Sequence, residues 1–192
     1  VSSPLVTTTI RKKRVNSLYF MANLAYQEML FLDITGRNDW SSTLPRKNRS
    51  SFYPSVGLSA VLNSMMKMPK WVNLLKVRAS WAQVGNDTQP YKTSPYYTTS
   101  DFSGSLVKPG TLYNADFKPE MSTNWEGGLD FKAFGSRLGL DVTYYYNRTK
   151  NQILNAPFDP TTGYTKGTIN SGCVSNRGVE IILRGTPVKT KD

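Results

Sequence analysis

Apolar and polar side chains alternate along this chain with period two, in segments of roughly ten residues separated by turn-rich stretches, and helical periodicity is poor almost throughout. This pattern predicts strands with one greasy and one polar face. The first runs from about Asn16 to Tyr26, with Leu18, Phe20, Ala22, Leu24 and Tyr26 on one side and Ser17, Tyr19 and Asn23 on the other. A second begins near Met29, where Leu30, Leu32 and Ile34 alternate with Asp33, Thr35 and Arg37; the polar run from Arg37 to Ser50 is expected to end it. The third sets Phe52, Val56, Leu58, Ala60 and Leu62 against Tyr53, Ser55, Gly57 and Ser59, with Pro54 near its start, where a strand tolerates proline best. In the fourth, Leu75, Val77, Ala79 and Trp81 oppose Lys76, Arg78 and Ser80. The fifth opposes Trp125, Leu129, Phe131 and Ala133 to Asn124, Glu126, Asp130 and Lys132. A turn at Phe134-Gly135-Ser136 leads into the sixth, with Leu138, Leu140, Val142, Tyr144 and Tyr146 against Arg137, Asp141, Thr143 and Tyr145, a spacing that only a tight hairpin fits. The seventh spans Asn176 to Thr186, with Val179, Ile181 and Leu183 facing away from Glu180 and Arg184.

The connections alternate in length. They are short near Gln27 and at Phe134–Ser136, intermediate at Asn63–Val72, and long at Asp39–Ser50, Gly85–Thr123 and Asn147–Ser175. One rim is trimmed and the other elaborated, which is the asymmetry of outer-membrane barrels and has no general reason in a soluble sandwich. A ten-residue strand rising ~3.3 Å per residue at a tilt near 45° spans about 23 Å along the membrane normal, close to the ~25 Å apolar band of such barrels. Trp81, Trp125, Tyr144 and Tyr146 fall near the long-loop ends, and Tyr26 and Trp71 near the short-loop ends, so both interfacial girdles are populated. Periodicity alone leaves these aromatics equally readable as the core of a soluble sandwich. The polar face weighs more. Asp33, Arg37, Arg78, Glu126, Asp130, Lys132, Asp141 and Arg184 lie mid-strand on it, where charges are expensive in a dry core but normal beside water. The expected fold is therefore all-β: an antiparallel transmembrane barrel segment of about seven strands, with these eight residues facing the lumen.

Composition removes several chemistries. The 192 residues include no His and a single Cys, Cys173, so Cys/His zinc sites, an intrachain disulfide and a His-based triad are excluded, and no metal or redox role is assigned. No P-loop, dinucleotide fingerprint or calcium loop is present; Gly127-Gly128 sits within a strand, where it permits close approach or a bend. No cofactor is expected. Glu126 and Asp130 share a strand face as a glycosidase pair might, but solvated charges near Lys132 and Arg78 explain them without a reaction, and no catalytic residue is assigned. The opening residues carry no signal-peptide pattern, and no segment approaches the ~18 consecutive apolar residues of a helical span, which says nothing about strands.

Net charge is +11, from 24 Lys and Arg against 13 Asp and Glu. The basic residues are dispersed over turns and loops (Arg11-Lys12-Lys13-Arg14, Arg46-Lys47, Lys67, Lys70), which argues against a nucleic-acid partner and suits an anionic lipopolysaccharide surface. On the long Tyr-rich loop, Tyr91, Tyr96, Tyr97 and Phe102 are the candidate substrate contacts, since exposed aromatics stack on sugar rings or grip peptide side chains. Packing of the loop onto its neighbours explains them equally well.

Specific strings add a resemblance. FKPEMSTNWEGGLDF (Phe117–Phe131) resembles the Leu-Lys-Pro-Glu…Glu-x-Gly signature found late in TonB-dependent outer-membrane transporters, with Phe117 in place of the usual Leu. FLDITGRNDWSSTLP (Phe31–Pro45), FYPSVGLSAV (Phe52–Val61), VRASWAQVGND (Val77–Asp87) and INSGCVSNRGVEIIL (Ile169–Leu183) resemble the SusC/RagA branch of that family, from Bacteroidetes-type bacteria. Together they cover roughly half the chain in family order. The resemblance implies a 22-stranded barrel closed by an N-terminal plug, a SusD-like surface lipoprotein as lid, energy from the TonB-ExbB-ExbD complex acting on the plug, residence in the outer membrane, and import of oligosaccharides or peptides. It further implies that residues 1–192 belong to the barrel domain, as a later piece without plug, TonB-binding segment or terminal strands, unable to transport alone. Two rivals stay open here: a soluble all-β module binding surface glycans, and a glycosidase-like β enzyme acting through Glu126 and Asp130.

Overall fold

The structure is a computed structural model that describes residues 8, 10–93, 95–100, 102 and 104–187. Seven long strands make its wall: β1 (Val15–Tyr26), β2 (Leu30–Ser41), β3 (Ser50–Val61), β4 (Val72–Asn86), β8 (Glu120–Ala133), β9 (Leu138–Lys150) and β12 (Cys173–Gly185). Between them come the short strands β5 (Thr98–Thr99), β6 (Leu106–Val107), β7 (Thr111–Leu112), β10 (Ile153–Pro157) and β11 (Lys166–Asn170). The wall is one antiparallel sheet in the order β1-β2-β3-β4-β8-β9-β12, each strand beside the next long one in sequence; it does not close on itself.

All seven expected strands are present, and several run further than the alternation suggested. The second continues through Asn38, Asp39 and Trp40 to Ser41, because β1 and β3 flank it on both sides and pair it to its end. Neighbouring strands supply hydrogen bonds that a polar local sequence does not announce.

The registers sort side chains into two continuous faces. One carries Leu18, Phe20, Leu24, Leu32, Ile34, Val56, Leu58, Val77, Trp81, Leu129, Phe131, Leu140, Val142, Ile181 and Leu183. Among the described residues no second sheet lies over it: Leu129, Phe131, Leu140 and Val142 stay partly accessible, and Leu183 is 71% exposed. Among the described residues, the buried apolar side chains are Leu44, Phe117 and Ala133 alone. Such a sheet lacks a sandwich core, and a greasy face of this kind suits contact with hydrocarbon.

The trimmed rim is built from tight turns. Gln27 and Glu28 both adopt positive φ (48° and 55°), the mirror-image turn that matches strand twist, and Met29 N–H closes it onto the Tyr26 carbonyl at 2.9 Å. At the other hairpin Phe134, Gly135 and Ser136 all have positive φ, and the Phe134 N–H reaches back to the Trp71 carbonyl at 2.8 Å. Trp71 stacks on Phe134 with ring centres 5.6 Å apart and meets Phe131 edge-on at 6.2 Å. Trp81 and Trp125, paired across strands with ring centres 6.0 Å apart, mark the opposite end of the greasy face.

The elaborated rim is more ordered than loops in the sequence suggest. Strands β10 and β11 form a hairpin, and β7 joins it in parallel through Thr111 and Leu112 opposite Lys166 and Gly167. This small sheet links two connections more than fifty residues apart in sequence and so leaves no local periodic signal.

Candidate functional site

The registers place Asp33, Arg37, Arg78, Glu126, Asp130, Lys132, Asp141 and Arg184 on one face of the wall, opposite the greasy one. Arg78 is the hub of its centre. Its guanidinium donates through Nη1 to Asp130 Oδ2 at 2.7 Å and through Nη2 to Asp141 Oδ1 at 2.9 Å and Thr143 Oγ1 at 2.6 Å. Asp130 and Asp141 are directly opposite each other across β8 and β9, a like-charge pairing that repels unless a cation sits between them. Gly128 makes room for that cation: a Cβ there would stand 2.5 Å from Arg78 Nε. Its neighbour Gly127, on the other face, would meet nothing within 4 Å. Close approach is thus the reason for one glycine of the pair.

Toward β1 a second polar cluster forms. Arg37 donates through Nε to Asp39 at 2.6 Å and through Nη2 to Ser17 at 3.1 Å, while Asn23 donates to Asp33. Near β12, Lys132 and Arg184 flank Gly139 in adjacent strands and line, with Asp130 and Asp141, a recess of about 200 Å³. Glu126 lines a separate recess of about 300 Å³ with Asn124, Tyr145, Asn147, Asn176 and Glu180. The Asn124 Oδ1 there is buried without a hydrogen-bond partner. Glu126 and Asp130 are not a catalytic pair in geometry: four residues of strand separate them by roughly 13 Å of backbone, against the ~5–9.5 Å between glycosidase carboxyls. Asp130 is moreover held by Arg78.

Above the wall, the FKPE string fastens the long connections together, a role that local reading of its residues did not find. Phe117 is fully buried, and its carbonyl accepts from Asn48 Nδ2 at 2.9 Å. Lys118 exchanges two hydrogen bonds with the Asn170 side chain, at 2.9 and 2.8 Å, and Glu120 Oε1 accepts the Ile153 N–H at 2.7 Å. Residues from all three long connections therefore meet at one string. Asp87, directly after β4, is a further fastening: it accepts from Lys13 Nζ at 2.5 Å, from the Ser41 hydroxyl, and from Thr43 Oγ1 at 3.2 Å. Burial opposes its ionisation, but Lys13 and Ser41 outweigh burial and hold the carboxyl below its ordinary range.

The four loop aromatics have individually different settings. Tyr91 sits in a left-handed conformation (φ 65°) with its hydroxyl accepting the Lys12 N–H at 3.4 Å. Tyr96 pairs with Tyr113, ring centres 5.7 Å apart, and burial together with the Tyr96 hydrogen bond pushes the Tyr113 hydroxyl up to about 12. Tyr97 is exposed. Phe102 stands at the tip of the β5–β6 hairpin, its carbonyl accepting from Ser105 N–H and Oγ at 3.1 and 2.8 Å while its ring is 79% exposed. Lys108, whose ammonium lies 4.1 Å from the centre of the Tyr164 ring, adds a cation over an aromatic that sequence spacing could not have joined.

Known proteins resemble this chain. The chain is 25% identical to TonB-dependent receptor P26 of Formosa agariphila over 97% of its own length and 20% of that protein's. To TonB-dependent receptor SusC of Bacteroides thetaiotaomicron it is 24% identical, over 92% of this chain and 19% of that one. A structure of the RagAB peptide importer in its closed-closed state superposes with a TM-score of 0.85 at 26% identity, covering 93% of this chain and 20% of the neighbour. The chain thus spans about a fifth of the length of these relatives. The family described as TonB dependent receptor-like, beta-barrel matches residues 2–186. With its uncovered greasy face, its charged opposite face and one elaborated rim, the chain belongs to the TonB-dependent receptor β-barrel family, whose SusC/RagA members sit in the bacterial outer membrane.

Proposed function

We propose that this chain is wall and rim of an outer-membrane importer of oligosaccharides or peptides, driven through TonB-ExbB-ExbD by a plug elsewhere in the same protein and lidded by a SusD-like surface lipoprotein. Residues 1–192 then form a later part of its barrel domain. The observation that carries this reading is the sheet itself: one face needs hydrocarbon, and the other presents the Arg78–Asp130–Asp141 cluster to water. In the assembled barrel the eight charged residues line the passage, and the fastened long connections present Tyr91, Tyr96, Tyr97 and Phe102 to cargo. The relatives are named as receptors and importers, not enzymes.

The test is uptake by the complete receptor in cells. Replacing Tyr97 and Phe102 together by Ala should reduce cargo binding by about tenfold, the scale of two lost aromatic contacts, while receptor abundance in the outer membrane stays unchanged. Comparing oligosaccharide and peptide mixtures as cargo identifies the class. Unaltered uptake of every cargo by that variant would remove these aromatics from the site.

A further inference from the structure

The greasy face is not wholly neutral. Of the side chains that the seven registers place on it, three carry formal charge, Arg148, Lys150 and Arg177, and all three are cations. None of its positions holds Asp or Glu. All three sit at the long-loop end of β9 and β12 and are exposed.

Their placement relative to the aromatics is specific. Trp81 pairs with Trp125, Trp125 with Tyr146, and Tyr146 with Arg177, so the four form one row across β4, β8, β9 and β12. Arg148, opposite Ser175, lies one outward position further toward the long loops, and Lys150, opposite Cys173, one beyond that. Diagonal neighbours such as Arg148 and Arg177 stand ~7–8 Å apart in backbone, and Arg148 and Lys150 about 6.6 Å. That is close enough for one tetrahedral anion to touch two side chains. Among the described residues none of the three joins an ion pair; Arg148 instead donates through Nε to Cys173 Sγ at 3.0 Å.

Cations at a lipid-facing interface are tolerated where they reach polar headgroups, and a bidentate guanidinium favours phosphate. Facing hydrocarbon below and water above, with aromatic rings marking the boundary, these three groups have one natural counterion. We propose that Arg148, Lys150 and Arg177 form a binding site for the phosphate of an anionic outer-leaflet glycolipid, whose acyl chains lie on Val142, Tyr144, Val179 and Ile181 below. The site lies on the outside of the barrel and is separate from the polar face and the loop aromatics. The inference rests on the barrel being membrane-embedded, not on what it imports.

The experiment uses the complete receptor, purified folded in detergent, with phosphorylated lipid A and its dephosphorylated form as probes and native mass spectrometry as readout. Wild type should prefer the phosphorylated lipid by about tenfold, and R148Q/K150Q/R177Q should lose that preference. R148K/R177K, which keeps the charges, should retain most of it. Equal binding of the two lipids by wild type would overturn the site, as would a triple variant that binds like wild type. Displacement of the lipid by inorganic phosphate alone would also overturn it, since the chains would then contribute nothing. If the triple variant does not fold, the wild-type preference still decides. A receptor that folds only in detergent but shows no preference keeps the membrane reading and loses this site.

Discussion

The wall and the long-loop rim are both β-structure, but different forces hold them. In the wall, strands of twelve or more residues pair in long antiparallel ladders, with one register shift, between Val72 and Leu74 of β4, and each strand is held by such ladders on one or both sides. In the rim, strands of two to five residues are held by particular side chains: Phe117 in its pocket, Asn170 clasping Lys118, Glu120 capping the Ile153 N–H, and Asp87 gathering Lys13, Ser41 and Thr43. Ladders distribute stability over many residues, so a wall tolerates sequence drift where its two-faced pattern is kept. A fastened rim concentrates stability in a few residues, which leaves the intervening loop residues free to vary.

The sharpest way to break this contrast is at Phe117. Phe117→Ala should cost about 3–5 kcal/mol locally, the scale of a deleted buried Phe, and should open the 87–119 connection to protease while the wall stays folded. Limited proteolysis of the complete receptor in detergent reads both. If the wall unfolds together with the rim, the two are one cooperative unit and the contrast fails.

Next comes the wall's own two-sidedness. Ile181 and Ile182 are adjacent on β12, the first outward beside Val142 and the second on the polar face beside Asp141. Ile181→Arg should destabilise the folded receptor by ~2–4 kcal/mol, as a cation near the bilayer midplane does, and Ile182→Arg by ~0–1 kcal/mol. Denaturant unfolding in lipid vesicles measures the pair; equal losses would mean the register is wrong.

A smaller effect is expected at Arg78. Arg78→Ala leaves Asp130 and Asp141 facing each other without a cation, at roughly 1–3 kcal/mol because the cluster is only partly buried. The loss should shrink in Asp141→Asn, a double-mutant comparison that isolates the charge repulsion.

The smallest is at Asp87. Its carboxyl is held below the ordinary 3.8 in the folded chain, so the fastening is fully present above that value and is lost as pH falls through the lower, folded one. Asp87→Asn should remove about 0.5–1 kcal/mol near neutral pH. It should also flatten the acid end of a pH profile of rim proteolysis; an unchanged profile would mean that another group sets the acid sensitivity.

Much of this was legible in the chain. Alternation such as Leu138-Gly139-Leu140-Asp141-Val142 reports a strand wherever it occurs, because side chains of a pleated strand must point alternately to its two sides. The seven strands, and the shared polar side of the eight charged residues named from the alternation, followed from that rule; the outward side of Arg148, Lys150 and Arg177 did not. The end of β2 was misread, because Asn38 and Asp39 look like a turn until β1 and β3 are in place.

Local pattern determined the wall, since period two and turn length are properties of neighbouring residues. Only the tertiary structure decided what lies beside what. It set Asp130 against Asp141 with Arg78 between, brought Asn170 to Lys118, joined β7 to β11, and aligned Arg177 with the Trp81–Trp125–Tyr146 row. Contacts of that kind join residues tens of positions apart, and their energy depends on distance and burial in space, quantities that no stretch of linear sequence contains.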